Sequence, residues 1–246
     1  MSALEAASVA PLARTRMRAN VFHGPGRLAV EDRPIPRAGY GEAVIKVRLT
    51  TICATDVHIL KGEYPVAKGL TIGHEPVGIV EKLGSAVEGC EEGQRVIAGA
   101  ITPSGHSAAC LCCYHSQDGA GTKHGFKPLG GWRFGNTIDG AQAEYLLVPD
   151  AMTNLALIPV GLTDEQVLMC PDIISTGISG AESGKVRVGD TKAVLRRARS
   201  DSARPSALGL WEPRQNRRRG GTGAHGDRIQ NGRGLPGRLH ESRSGG

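Results

Sequence analysis

Apolar and polar side chains alternate along Ala43–Leu49, which is the pattern of a strand with one buried face. Short β-rich runs recur on both sides of it, at Arg18–Phe22, Leu28–Glu31, Val77–Leu83, Arg95–Ala98 and Ala143–Pro149. The first two of these runs flank His23–Gly26, whose Gly and Pro residues favour a tight turn. Short strands separated by glycine turns predict a small, partly open β-barrel.

Helical signals are found in the later part of the sequence. Thr163 is a good N-cap for a short helix with acidic residues in its first turn. Pro171 suits the first turn of a second helix, which we predict over Asp172–Glu182. The segment Lys185–Thr191 then leads into a new strand. The predicted fold class is therefore mainly β with some α.

The composition changes abruptly after Thr191. Residues 192–246 hold 12 Arg, one Lys and 10 Gly but only seven Val, Ile, Leu or Phe, and they carry a net charge of +9, whereas residues 1–191 carry −3. Such a segment buries too little apolar surface to offset the entropy of ordering it. We therefore predict a disordered basic tail over 192–246, a disordered extension over 1–16 and a folded domain over 17–191. Met17 is an alternative start of translation.

The cysteines suggest metal binding rather than disulfides. No signal peptide and no apolar run approaching the ~18 residues of a membrane span is visible in the sequence. We therefore expect a cytoplasmic protein with reduced thiols and no membrane partner. The six cysteines are Cys53, Cys90, Cys110, Cys112, Cys113 and Cys170.

Residue types that bind zinc occur in two short motifs. Gly73-His74-Glu75 reads as a tight turn before the strand Val77–Leu83, and Cys53 lies about 20 residues upstream. A catalytic zinc needs three protein ligands and one open position. Cys53 and His74 supply a thiolate and an imidazole, and we expect the third ligand near Cys170-Pro171-Asp172.

A zinc-bound alcohol oxygen has a lowered pKa, so an alkoxide can form near neutral pH. Its proton must then leave the site. Thr55 and His58 lie two and five residues after Cys53 and form a workable hydroxyl-to-imidazole relay toward solvent.

Three motifs together resemble the zinc-containing medium-chain alcohol dehydrogenases. Gly73-His74-Glu75 followed by Gly78, Gly84 and Val87 matches the signature of that family. Cys53-Ala54-Thr55-Asp56 with His58 matches its Cys-x-[Ser/Thr]-Asp-x-His motif. Pro171–Gly177 matches a Pro-Asp-x-x-[Ser/Thr]-Thr-Gly motif of bacterial members that act on secondary and other small alcohols. Residues 17–191 as a whole resemble the GroES-like catalytic domain.

The resemblance implies roles for individual residues. It makes Cys53, His74 and Asp172 the zinc ligands, and it makes Glu75 an adjacent or exchangeable one. Alcohol dehydrogenase sites of the Cys₂His type use a second cysteine where this chain has Asp172, and Cys170 is the competing assignment. It also implies that Thr55 and His58 form the proton relay. Thr176 would contact the nicotinamide, and Trp132 would form a wall of the substrate pocket.

A second group of cysteines departs from the family pattern. Many members hold a structural zinc with Cys-x2-Cys-x2-Cys-x7-Cys, whereas this chain has Cys110-x-Cys112-Cys113. His115, Asp118 or His124 could complete four ligands, but adjacent cysteines suit a closed tetrahedral site poorly. We therefore do not expect a structural zinc here.

Family members also need a nicotinamide cofactor, NAD or NADP, on a Rossmann domain. The tail contains two G-x-G-x-x-G matches, Gly221–Gly226 and Gly232–Gly237, but neither follows a strand nor opens a helix. We therefore expect the Rossmann domain to be absent and residues 192–246 to be an out-of-frame translation or a remnant.

The preferred function is thus the catalytic-domain portion of an alcohol dehydrogenase that interconverts small alcohols with aldehydes or ketones. We expect this chain to bind zinc and to turn over alcohol negligibly on its own. The resemblance implies a homo-oligomer for the intact protein. The alternative is a non-enzymatic zinc-binding domain whose basic tail binds nucleic acid. We do not expect that binding, because Trp211 is the tail's only aromatic residue.

Overall fold

Two antiparallel sheets carry the structure. The computed structural model describes residues 14–190. The predictions for the N-terminal extension up to residue 13, and for the tail with its glycine motifs, lie outside the described residues. Strands β1 (Arg16–Gly24) and β2 (Arg27–Pro34) form a two-stranded sheet.

The second sheet has five strands in the order β6-β3-β4-β5-β7. Every pairing in it is antiparallel. Isolated bridges from Ala19 to Ala143 and from Val21 to Thr71 connect β1 to segments beside the larger sheet. The prediction of a mainly β fold is confirmed. The five strands are β3 (Ala43–Thr50), β4 (Pro76–Leu83), β5 (Arg95–Ala98), β6 (Tyr145–Val148) and β7 (Leu155–Leu157).

The main core lies against one face of the larger sheet. Alternation along β3 buries Ile45 completely, and the residue after it, Lys46, is exposed. A second small cluster joins Phe22 of β1 to Ile59 and Ile72. This second cluster matters for the site because Ile59 and Ile72 belong to the segments that follow Cys53 and precede His74. The main core comprises Ile45, Val80, Val96, Ala98, Phe134, Ala141, Leu146 and Val148.

The helices are short, and no helix within residues 14–190 has the length and apolar character needed to cross a bilayer. Thr163 caps α4 through a hydrogen bond from the backbone of Gln166, as its position before acidic residues predicts. The helices are α1 (Ala54–Leu60), α2 (Ala108–Leu111), α3 (Ala151–Asn154), α4 (Asp164–Val167) and α5 (Ser175–Ser183).

The helix predicted over Asp172–Glu182 is α-helical only from Ser175 onward. A single π-helical turn spans Cys170–Ile174, and α5 continues from Ser175. The proline at the start of the turn has no N–H to donate, so a wider turn is tolerated there. Lys185–Asp190 contains turns only, and the strand expected after it falls outside the described part of the chain.

Candidate metal centre

Four side chains from three separate segments converge on one point. One ligand atom each from Cys53, His74, Glu75 and Asp172 lies within 4.8 Å of the others. His74 and Glu75 are buried, whereas Cys53 and Asp172 are partly exposed. The cluster therefore has a protected side and a side open to a small molecule.

Cys53 is fixed by the start of α1. It is the N-cap residue, and its backbone N–H donates to Asp56 Oδ2 at 2.9 Å. On the same helix, Ile59 is 1 % exposed and packs against Phe22 and Ile72. The cap and this apolar contact hold a helix of only seven residues, which is too short to be stable alone.

His74 and Glu75 lie in the loop that enters β4. Gly73 precedes them with φ of +94°, which favours glycine because a Cβ strains this conformation. A Cβ at Gly73 would also lie 2.6 Å from Cγ of Gln142. Glycine therefore lets the loop approach Gln142 closely and places both side chains inside the fold.

Asp172 comes from the π-helical turn. Ala100, just after β5, donates its N–H to the carbonyl of Pro171 at 3.3 Å and ties this turn to the sheet. The Thr176 hydroxyl donates to Asp172 Oδ1 at 3.0 Å. The other carboxylate oxygen, Oδ2, lies 3.5 Å from His74 Nε2 and 4.0 Å from Cys53 Sγ. The carboxylate is thus oriented with one oxygen toward the cluster.

The charges of the cluster are unbalanced. Burial raises the pKa of Cys53 and of Glu75. Burial also opposes protonation of His74, but the hydrogen bond with Asp172 and the nearby carboxylates outweigh it and raise the pKa of the imidazole. The hydrogen bond with His74 in turn lowers the pKa of Asp172. The site therefore concentrates groups that are stabilised by positive charge.

These residues fit a zinc ion. Ligands 2.0–2.3 Å from a tetrahedral zinc are about 3.3–3.8 Å apart, and His74 Nε2 is 3.5 Å from Asp172 Oδ2 and 3.7 Å from Glu75 Oε1. Glu75 Oε2 is buried without a hydrogen bond in the described structure. A thiol, an imidazole and carboxylates form a donor set that zinc accepts.

Asp56 is a site residue to which sequence reasoning gave no role. It is 3 % exposed, and its Oδ1 lies 3.8 Å from His74 Nδ1. A histidine ligand commonly presents its second nitrogen to a carboxylate, which fixes the tautomer. The available signal was an acidic residue three positions after the cap, where it can accept the cap's N–H.

The predicted relay residues both lie on α1. Thr55 Oγ1 is 3.6 Å from Cys53 Sγ. His58, one helical turn later, hydrogen-bonds through Nδ1 to the carboxylate of Glu63, and its ring meets Tyr64 edge-on with centroids 5.9 Å apart. The relay itself remains a prediction.

Trp132 lies beside the same helix. Its Nε1 donates to the carbonyl of Phe134 at 3.1 Å, and its ring packs on the cluster formed by Phe22, Ile59 and Ile72. The ring of Tyr64 meets the indole edge-on with ring centroids 5.5 Å apart. The indole is therefore partly a core residue, and its role as a pocket wall remains a prediction.

The loop of the other cysteines is organised around a carboxylate. Cys110 is buried, whereas Cys112 and Cys113 are exposed. Burial opposes ionisation of Asp118, but hydrogen bonds from Ser107 and from backbone N–H groups outweigh it and hold the pKa of Asp118 at about 2. Asp118 thus links the segments that precede and follow these cysteines.

A separate cavity of about 720 Å³ lies between the hairpin β1–β2 and strand β6. Its lining includes Arg33, Asp139 and Tyr145, and it shares no residue with the four converging side chains. We therefore assign the chemistry to the cluster rather than to this cavity.

A mainly antiparallel β fold with a Cys, His, Glu and Asp cluster is the arrangement of a zinc-containing dehydrogenase catalytic domain. Residues 39–160 match the alcohol dehydrogenase GroES-like domain family. The chain is 63 % identical over 186 residues to an alcohol dehydrogenase of Cupriavidus necator, covering 73 % of this chain and 51 % of that protein. The chain belongs to the zinc-containing medium-chain alcohol dehydrogenase family.

Other relatives agree with this assignment. Zinc-type alcohol dehydrogenase B of Aspergillus flavus is 34 % identical over 169 residues, covering 68 % of this chain and 37 % of that protein. The structure of alcohol dehydrogenase TADH from Thermus sp. ATN1 superimposes with a TM-score of 0.61 at 34 % identity, covering 71 % of this chain and 49 % of that one. The chain spans about half the length of the Cupriavidus necator relative and of the Thermus structure.

Proposed function

We propose that Cys53, His74 and Asp172 bind one Zn²⁺, with Glu75 as an adjacent or exchangeable ligand, in the catalytic domain of an alcohol dehydrogenase. The observation that carries this proposal is the convergence of four ligand atoms within 4.8 Å of one another. The partial exposure of Cys53 and Asp172 supports an open coordination position, as a catalytic zinc requires.

The reaction that we propose for the intact protein is oxidation of a small alcohol to an aldehyde or ketone with NAD⁺ or NADP⁺. A relative from Thermoanaerobacter brockii, 33 % identical over 171 residues, is an NADP-dependent isopropanol dehydrogenase, which supports a secondary alcohol as substrate. Both sheets within 14–190 are antiparallel, so the described residues contain no parallel dinucleotide-binding sheet. The cofactor's main binding site therefore lies outside these residues.

When bound, zinc supplies Lewis acidity that lowers the pKa of an alcohol hydroxyl. The chain's own residues then move the proton. Thr55 lies next to Cys53, takes up the proton at its hydroxyl oxygen and passes its own hydroxyl hydrogen on to His58. His58 follows three positions later on α1, which places the two side chains on one helix face. The Glu63 carboxylate can only accept, so His58 Nδ1 carries a hydrogen and Nε2 is free to receive the proton.

Asp172 and Thr176 link the metal cluster to the proposed cofactor contact. The Thr176 hydroxyl donates to Asp172 Oδ1, which keeps Oδ2 directed at the cluster. We propose that Thr176 also contacts the nicotinamide, so that it lies between the cofactor and the substrate. Trp132, with the ring of Tyr64 edge-on against it, is the proposed wall for the substrate's carbon chain.

A cobalt titration of the 246-residue chain tests the proposal. Cobalt(II) replaces zinc with similar ligands and reports them by thiolate charge-transfer and d–d absorption bands. We expect one equivalent to bind to the wild type, and we expect Cys53→Ser and Asp172→Asn each to weaken binding by at least ~10-fold, because each removes a ligand atom. Adding propan-2-ol should shift the d–d bands, since the alcohol occupies the open position.

The matched control is Cys170→Ser, which removes the competing ligand two residues before Asp172 and should leave the titration unchanged. Loss of binding in Cys170→Ser with retention in Asp172→Asn would reassign the third ligand. Cobalt d–d bands that do not shift at any concentration of propan-2-ol would indicate a closed structural site and contradict the proposed catalysis.

A further inference from the structure

We propose that Gln142 is a positioning residue of the metal centre. It orients the carboxylate of Asp56, and through that carboxylate it orients the imidazole of His74. This inference rests on the proposed zinc site, but it gives a role to Gln142, to which neither the motifs nor the relatives assign one.

The side chain of Gln142 bridges two elements. Asn20, on β1, donates from Nδ2 to Gln142 Oε1 at 2.8 Å. Gln142 donates from Nε2 to Asp56 Oδ2, on α1, at 3.2 Å. Because Asn20 occupies the amide oxygen, the amide nitrogen faces the carboxylate. Asn20 therefore selects the orientation in which Gln142 can support Asp56.

The backbone of Gln142 is held from both sides. Its carbonyl accepts from the N–H of Asn20 at 2.8 Å, and its N–H donates to the carbonyl of Ile72 at 2.9 Å. The next residue of that loop, Gly73, has no side chain, and a Cβ there would lie 2.9 Å from the backbone nitrogen of Gln142. Gln142 is thus fixed directly against the loop that carries His74.

The two oxygens of Asp56 are used differently. Oδ2 accepts from both the Cys53 N–H and Gln142 Nε2. Oδ1 is buried, makes no hydrogen bond within the described structure, and lies 3.8 Å from His74 Nδ1. Two donors on one oxygen set the rotation of the carboxylate, so the other oxygen is directed at the imidazole.

This arrangement determines which nitrogen of His74 can bind a metal. A carboxylate oxygen beside Nδ1 favours the tautomer with hydrogen on Nδ1, which leaves the Nε2 lone pair free. Nε2 is the nitrogen that lies 3.5 Å from Asp172 Oδ2 and 3.7 Å from Glu75 Oε1. Gln142 therefore directs metal binding to Nε2, once the proton on that nitrogen has left.

The test compares metal affinity of the full 246-residue chain with and without this contact. Gln142→Met keeps the length of the side chain and removes its polar atoms. We expect its Zn²⁺ and Co²⁺ dissociation constants, measured by chelator competition, to rise by about 10-fold, as is usual for partners of metal ligands. The cobalt d–d bands should also shift, because a reoriented imidazole changes the ligand field.

A double-variant cycle separates positioning from general packing. Asp56→Asn should weaken zinc binding by about 10- to 100-fold. Adding Gln142→Met to Asp56→Asn should cause little further loss, since Gln142 acts through Asp56. Independent, additive losses with unchanged cobalt bands would show that Gln142 only ties β1 to the loop and would overturn the inference.

Two further variants keep the test decisive. Gln94→Met removes a glutamine that accepts from the Glu91 N–H in the turn before β5, and it should leave affinity and spectrum unchanged. If Gln142→Met does not fold, Asn20→Asp carries the test: its carboxylate can only accept, so it turns the Gln142 amide over, and the same weakening is expected. Wild-type affinity in this variant would overturn the inference.

The outcomes also separate this inference from the proposed function. A wild-type chain that binds neither metal refutes the zinc centre, and the positioning role falls with it. A wild-type chain that binds one metal ion, together with a folded Gln142→Met that binds equally well, refutes the positioning role alone.

Discussion

His74 is surrounded by more carboxyl groups than a single imidazole can pair with. Asp56, Glu75 and Asp172 all lie within 4 Å of one of its ring nitrogens. Without a metal, the raised pKa of the imidazole favours its protonated form, and burial, which raises the pKa of Cys53, favours the thiol. Zinc must displace both protons in order to bind.

This competition predicts the pH dependence of zinc affinity. Protonated His74 and protonated Cys53 cannot ligate, and their raised pKa values extend both protonated forms to higher pH. The apparent dissociation constant should therefore fall as the pH rises from about 6 to about 9, by roughly 10- to 100-fold per pH unit where one or two protons are released. Chelator competition at several pH values measures this slope.

The control for that slope is His115→Gln, which removes an exposed histidine outside the cluster. It should reproduce the wild-type dependence. An affinity that does not change between pH 6 and pH 9 would show that neither His74 nor Cys53 gives up a proton to the metal.

The sequence was sufficient to predict the candidate ligands, but not the residues that orient them. Cys53, His74 and Asp172 stand in recognisable motifs, and the structure brings them together as the resemblance implies. Asp56 and Gln142 are 86 positions apart, and Gln142 stands in none of the motifs used for prediction. Their contact depends on how β1, α1 and the loop before β4 pack, which short-range patterns do not encode.

At the level of secondary-structure elements, the three ligand-bearing segments are each held by a different device. A helix cap holds Cys53, a glycine turn against Gln142 holds His74, and a backbone bond from Ala100 holds the π-helical turn of Asp172. All three segments adjoin the antiparallel sheets. The sheets therefore act as a rigid support for ligands that come from loops and helix ends.

A glycine of the family signature tests how closely these elements pack. A Cβ at Gly84 would lie 1.6 Å from the carbonyl oxygen of Gly39 and 2.8 Å from that of Glu42. Gly84→Ala must displace this turn, and we expect a loss of about 1–3 kcal/mol in the free energy of unfolding. Chemical denaturation of the metal-free chain measures it.

Gly180→Ala in α5 is the matched control, because a Cβ there meets no atom of the described residues within 4 Å. Higher helix propensity should make this variant more stable by about 0.5–1 kcal/mol. Equal stability of Gly84→Ala and the wild type would show that the turn at Gly39 is looser than the structure indicates.

Alternation and turn signals predicted six of the strands, whose observed bounds differ by up to three residues, but they did not predict β7 (Leu155–Leu157). β1 extends beyond the predicted Arg18–Phe22, and β2 extends beyond the predicted Leu28–Glu31, because the two strands pair with each other along their length. Helix α1 was not predicted. It has seven residues, and tertiary contacts such as that of Ile59, rather than local propensity, stabilise it.

At the scale of the whole molecule, residues 14–190 form a supporting fold with the candidate chemistry at one edge. No residue of α5 is buried among the described residues, and Ile173 and Ile174, which follow Asp172 in the chain, are exposed together with Ile178. The apolar surface near Asp172 is therefore available to a substrate or to another part of the intact protein. The proposed zinc is the feature on which every functional statement depends.

Zinc K-edge X-ray absorption of the 246-residue chain loaded with one equivalent of zinc is the most direct test of that centre. The account predicts one sulfur scatterer at about 2.3 Å and two or three nitrogen or oxygen scatterers at about 2.0–2.2 Å. In Cys53→Ser the sulfur shell should disappear. Three or four sulfur scatterers would place the metal on Cys110, Cys112 and Cys113 instead, and that result would contradict a centre built from Cys53, His74 and Asp172.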